Sequence, residues 1–273
     1  MNKFPISPLF IPANKTQWIK KTFEKGTDSI ILDLEDSVPE NEKTQTRDDL
    51  YFHLKENKYE GNLIVRVNPI TDETGKKDIK ILTQSDLSIS AFMLPKVEDS
   101  ALIPELPDIN IIALLETPKS IKNISDIASE NKVKGLALGG ADLSASLGST
   151  MDWDSLLYAR SKIVLEAAIN GLFTIDSPFM NIEDLNALLK ESKKAKDLGF
   201  NGKAAIHPSQ LEVIKSSFLP SDEEILEAKE IISAFNQSAA AVISFRGRMI
   251  DQPIILSMET RLRLVGIDPK NID

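Results

Sequence analysis

Cysteine is absent from the 273 residues, so disulfides, thiolate metal sites and cysteine nucleophiles are excluded together. Only two histidines occur, His53 and His207, too few for a three-histidine zinc site. Any divalent cation must therefore sit mainly on carboxylates, which favours a hard ion such as Mg²⁺. No apolar run approaches the ~20 residues that cross a bilayer. The stretch Met1–Lys15 also lacks the apolar h-region and small-residue cleavage site of a secretion signal. A cytoplasmic protein with no membrane span is expected. Basic residues are in deficit: 32 Lys and Arg against 41 Asp and Glu leave a net charge of -9. That balance speaks against a general nucleic-acid surface but leaves room for a local basic pocket.

What the chain does have is a beat. Short apolar runs alternate with longer charged, amphipathic stretches. The runs are Pro8–Pro12, Ser29–Leu34, Leu63–Val67, Ala91–Pro95, Ile111–Leu115, Gly135–Gly139, Leu172–Ile175 and Lys203–Ile206. Helices are predicted over Lys15–Glu24, Glu42–Lys55, Asp78–Thr83, after Asp99, after Pro118, Trp153–Asn170, Ile182–Leu198 and after Pro208. Buried parallel strands read as continuous apolar runs, and alternation with helices implies βαβ units. Eight such units fit a (β/α)₈ TIM barrel over residues 1–220 better than an open sheet. A helix at Asp222–Phe235 and a Gly-containing tail then form a C-terminal helical or lid extension, 221–273.

Barrel chemistry sits at the C-terminal ends of the strands. Those ends carry Asp33, Glu35 and Asp36, then Arg66 and Asn68, then Lys96, Glu116, Asp142, Asp176 and His207. Capping or solvation is the expected role of Asp36, Asp99 and Asp176. Glu116 and Asp142 leave successive strands, and their carboxylates are placed to converge on one Mg²⁺. The small residues Gly139-Gly140-Ala141 put Asp142 in a loop where a substrate can approach backbone N–H groups. Arg66, inside an apolar strand, needs an anionic partner, either a bound ligand or a structural ion pair with Glu35 or Glu116. For His207, a satisfied core imidazole and a ligand contact remain equal alternatives.

Eight strings, in order, resemble the citrate lyase β-subunit (CitE-like) family of the HpcH/HpaI aldolase superfamily. They are Leu9–Asn14, Leu32–Val38, Val65–Asn68, Met93–Glu98, Glu116-Thr117-Pro118, Gly139–Leu143, Gly202–Pro208 and Gly247–Asp251. Ala13, where glycine is usual, and Phe245-Arg246-Gly247 depart from the pattern. The second departure looks more like stand-alone citramalyl-CoA lyases than the component of the citrate lyase complex.

The resemblance implies a Mg²⁺-dependent carbon–carbon lyase that splits a 3-hydroxyacyl-CoA into acetyl-CoA and a small α-keto acid such as pyruvate. It implies Glu116 and Asp142 as Mg²⁺ ligands and Arg66 on the keto-acid end. Asp251 corresponds to the catalytic acid–base, supplied to a neighbouring subunit's site in a homotrimer or hexamer. Phe10, Lys21, Glu40, Asn41, Glu42, Lys43, Ile206 and His207 correspond to the acyl-CoA site. Malyl-CoA cleavage, malate-synthase-like condensation and citryl-thioester cleavage are the alternatives among enzymes. A non-enzymatic metabolite-binding barrel is the alternative outside them.

Overall fold

The structure, a computed structural model, describes residues 5–84, 86–238 and 240–272. Residues 1–4, where part of the Met1–Lys15 reading falls, lie outside the described residues. The chain divides into two compact units, 1–214 and 215–273, so the division falls slightly before the expected residue 221.

In the first unit eight strands form one parallel sheet in sequence order. They are β1 Leu9–Pro12, β2 Ser29–Asp33, β3 Asn62–Arg66, β4 Ala91–Leu94, β5 Ile111–Leu115, β6 Val133–Leu138, β7 Phe173–Asp176 and β8 Gly202–Lys203. The helices between them are α1 Trp18–Glu24, α2 Lys43–Glu56, α3 Glu73–Leu82, α4 Pro118–Lys122, α5 Ile124–Ala128, α6 Gly140–Leu147, α7 Leu157–Asn170 and α8 Leu185–Leu198. Helix α9, Leu211–Phe218, spans the division between units. Among the described residues no helix is long and apolar enough to cross a membrane.

The sheet curls until its ends meet. Phe10 donates its N–H to the Ala205 carbonyl at 2.9 Å, and Ala205 donates to Pro8 at 2.9 Å. Glycine is required at 202, because a Cβ there would lie 2.4 Å from the Pro5 carbonyl oxygen. Inside the curl, Phe10, Ile31, Ile64, Met93, Ile112, Leu114, Ala137, Ile175 and Ala204 pack together. Strand side chains alternate with period two. Asp33, Arg66 and Glu116 each stand two residues after one of these core residues, and so continue the inward row.

Two predicted helices and one loop are corrected. Helix α3 starts at Glu73, not Asp78; its Gly75, a poor helix former, sits where a Cβ would lie 2.2 Å from the Pro69 carbonyl oxygen. Helix α7 begins at Leu157, not Trp153. The expected loop around Gly139–Asp142 is instead the start of α6. Glycines that read as loop are here small residues fitted under neighbouring strand ends.

Between β7 and β8 lies a buried ionic knot. Asp176 accepts from Arg160 Nε at 2.9 Å and from Lys203 Nζ at 2.7 Å, and Lys203 also pairs with Glu191 at 2.7 Å. Asp176 is thus an ion-pair centre, neither a cap nor a solvated side chain. Burial alone would raise its pKa, but the charges of Lys203 and Arg160 outweigh it and hold the carboxyl below the usual value of 3.8. Its stabilising contribution is therefore present above the unfolded-state value and lost as pH falls through the lower folded one. Asp176→Asn is expected to destabilise the fold by about 3–5 kcal/mol at neutral pH, since two buried cations lose a partner. Urea melts at pH 7 and pH 3 check this, with the difference between variant and parent shrinking at the lower pH.

The second unit contains α10 Asp222–Asn236, β9 Ile243–Phe245, β10 Arg248–Ile250 and α11 Gln252–Leu264. Strands β9 and β10 form an antiparallel hairpin. Its two-residue turn, Arg246-Gly247, has φ of 49° and 77°, the left-handed pair that tight hairpins require. Ala228, Ile231, Ile232, Ile250, Ile255, Met258 and Leu262 form its core. Asp251 ends the hairpin and caps α11, its Oδ1 accepting from the Ile254 N–H at 3.3 Å.

Candidate active site

A cavity of about 460 Å³ opens over the C-terminal ends of the strands, lined by residues of β1 to β7 and by Ala204 and Ile206 just after β8. Arg66, Glu116, Asp142, Phe10 and Ile206 line it. Lys21, Glu40, Asn41, Glu42, Lys43 and His207 are not among the lining residues. Lys21 is exposed on α1. Lys43 is engaged by Asn68 Oδ1 and by Glu40 at 3.2 Å. His207 is exposed and caps the turn at Pro208–Gln210, its Nδ1 2.7 Å from Ser209 Oγ. That is neither a core imidazole nor a contact to the cavity.

The register of β2 on β3 sets Asp33 opposite Arg66. The guanidinium forks onto this acid, Nε to Oδ1 and Nη2 to Oδ2, both at 2.7 Å. Its remaining nitrogen, Nη1, faces Glu35 at 3.3 Å and Asp36 at 3.0 Å, and Phe10 covers it with ring centroid 5.2 Å from Cζ. Of the two partners the sequence offers, Glu35 faces Arg66 and Glu116 forms no ion pair with it among the described residues; the fork is taken by Asp33. For Asp33, burial raises the pKa, yet the Arg66 hydrogen bonds and charge bring the carboxyl below its ordinary value.

Glu116 leaves β5 just before Thr117, which caps α4 through a reciprocal box with Ser120. This cap fixes the chain direction immediately after the acid. The Glu116 carboxylate is buried and accepts a hydrogen bond from the Lys96 N–H at 2.9 Å. Asp142, half-buried, lies in the first turn of α6, where the helix dipole favours an anion. Burial first, then the charges of Glu35 and Asp142, push the pKa of Glu116 up to about 8. The Lys96 N–H and the charge of Arg66 offset only part of this rise.

The donor set fits a hard cation on two counts. Glu116 and Asp142 offer carboxylate oxygens to a site whose negative charge is under-compensated. Gly139 leaves the approach open, because a Cβ there would stand 2.6 Å from Glu116 Oε2. Among the described residues no cluster of three or more acid or histidine ligands occurs. Two protein oxygens suit Mg²⁺, which keeps several of its positions for water or substrate.

Acids, an arginine and a lysine gathered at the strand ends of a curled parallel α/β sheet make up an enzyme-like site. The chain belongs to the HpcH/HpaI aldolase/citrate lyase family, whose pattern matches residues 7–208. Mitochondrial citramalyl-CoA lyase of Homo sapiens is 32% identical over 94% of this chain and 84% of its own length. The citrate lyase subunit beta of Leuconostoc mesenteroides subsp. cremoris is 30% identical over 94% of this chain and 92% of its own. A crystal structure of CitE from Mycobacterium tuberculosis, in complex with magnesium, acetoacetate and coenzyme A, superposes with a TM-score of 0.84. That likeness covers 97% of this chain and 100% of the other, at 29% identity.

Proposed function

We propose that this protein is a Mg²⁺-dependent lyase that cleaves a citramalyl-CoA-type 3-hydroxyacyl-CoA reversibly into acetyl-CoA and an α-keto acid such as pyruvate. The observation that carries the reading is the meeting of Glu116, Asp142 and Arg66 in one cavity at the strand ends. The human relative named for citramalyl-CoA and the magnesium- and CoA-bound relative support it. Mg²⁺ held by Glu116 and Asp142 would supply Lewis-acid polarisation of the hydroxyl or keto oxygen.

The chain's own residues do the rest. Arg66, held by Asp33, presents Nη1 to the keto-acid end and stabilises the negative charge that grows there. During cleavage the hydroxyl proton passes to solvent, its oxygen becomes the keto oxygen, and the electron pair of the broken carbon–carbon bond becomes the acetyl-CoA enolate. Protonated Asp251 then donates to the enolate carbon; in condensation its carboxylate removes the methyl proton. Phe10 and Ile206 give the cavity apolar walls that limit water. Lys21, exposed on α1, is the cation we assign to the CoA phosphates, with Glu40, Asn41, Glu42, Lys43 and His207 assigned to the same acyl-CoA site.

The architecture is read as a closed (β/α)₈ barrel with a C-terminal lid, assembled as a trimer or hexamer in which Asp251 serves a neighbour. Tyr158, Leu165 and Ile169, exposed along one side of α7, are apolar surface of the kind an assembly covers. A cytoplasmic location is part of the proposal.

The test is a panel of citramalyl-, malyl- and citryl-CoA with the purified protein, read by chromatography of acetyl-CoA. Cleavage of citramalyl-CoA, stopped by EDTA and restored by Mg²⁺, is expected. A preference for malyl-CoA would select that reading, and no cleavage of any thioester would overturn the lyase assignment.

A further inference from the structure

Lys96 follows β4 with φ of 52°, the left-handed region that a residue bearing a Cβ enters at a cost of about 1–2 kcal/mol. Glycine adopts this conformation without that strain. The lysine side chain must therefore contribute something that glycine lacks. Its two donors go to two different acids. The backbone N–H holds Glu116 Oε1 at 2.9 Å, and Nζ holds Glu35 Oε1 at 2.9 Å. Glu35 is buried, and its Oε2 makes no hydrogen bond among the described residues. That oxygen has only the 3.3 Å ion-pair approach of Arg66 Nη1. A buried, under-partnered carboxylate this close to a cation ligand is itself chemically suited to bind the cation.

We propose that Lys96 is a positioning residue that keeps Glu35 out of the coordination shell of the cation on Glu116 and Asp142. Its N–H fixes one oxygen of Glu116 and leaves the other for the cation, while its ammonium retains Glu35. The proposal rests on the cation site described above. A third carboxylate would replace one of the waters such an ion keeps and so narrow the choice of positions open to the chelating keto acid. It would also leave three acids around a doubly charged ion, a net negative site facing an anionic substrate. With Lys96 in place, the charge of Glu35 is balanced and the site accepts the anion.

Mn²⁺ serves as the probe, with water-proton relaxation reporting its water ligands and calorimetry its affinity for the protein and for pyruvate. In Lys96→Met the bound Mn²⁺ is expected to lose a water ligand without binding more weakly. Pyruvate affinity for the loaded protein falls about tenfold or more, an added penalty near 1.4 kcal/mol. Adding Glu35→Gln to that variant returns both readouts toward the parent, which a merely structural role for Lys96 would not do. Lys96→Gly, suited to the same backbone conformation, gives the same pattern and covers the case in which the methionine variant fails to fold. Unchanged hydration and pyruvate affinity, or no rescue by Glu35→Gln, would overturn the role of Lys96 alone. A parent protein that binds no Mn²⁺ would overturn the cation site as well.

Discussion

Glu116→Gln is expected to lose Mg²⁺-dependent cleavage by about 10³-fold or more, because Lewis-acid stabilisation worth several kcal/mol depends on this ligand. Glutamine keeps an oxygen for the Lys96 N–H, so the loss will not come from a collapsed site. Stability should move the other way. With its folded pKa raised from 4.5 to about 8, ionised Glu116 weakens the metal-free fold. The sign follows from linkage: this destabilisation is absent below the unfolded value, grows as pH rises, and is complete above the folded one. Melting in EDTA at pH 8 should therefore find the variant at least as stable as the parent. A variant that keeps both Mg²⁺ affinity and turnover would remove Glu116 from the metal site.

Asp251→Asn should lower turnover about 10²–10⁴-fold, the usual contribution of a positioned acid–base group. The substitution is chosen because Asp251 also caps α11, and asparagine caps about as well. Thermal stability and Mg²⁺ affinity should stay close to the parent's. Mixing this variant with Glu116→Gln supplies the sharper measurement. If the tail acid acts on a neighbour's site, mixed assemblies regain part of the activity that neither variant has alone. Full activity of Asp251→Asn by itself would eliminate the tail-acid mechanism.

Much of the fold was legible because buried parallel strands write themselves as apolar runs, and all eight were visible. The inward row could also be followed, since Arg66 and Glu116 continue the period-two pattern of their strands. Helix α6 was not visible: its first residues are glycines, which signal loops unless the crowding by Glu116 and Ser177 is known. The Asp33–Arg66 fork depends on strand register, which a single sequence does not specify when several acids stand at neighbouring strand ends. The strained backbone of Lys96 left no signal either, because lysine is not a residue that marks a left-handed turn. Lys43 and His207 have residue types that suit ligand binding, and each side chain also has a local partner that sequence alone does not show.

The seam between Leu9 and Ala205 has a consequence for the order in which the molecule is made. The ribosome delivers the first strand long before the segment that completes its pairing. The interval is roughly 200 residues, or ~10–40 s at ordinary elongation rates. Throughout that time the nascent sheet presents an unpaired, apolar edge of the kind that recruits other chains. Exposure to other chains is thus a matter of biosynthesis more than of the finished fold.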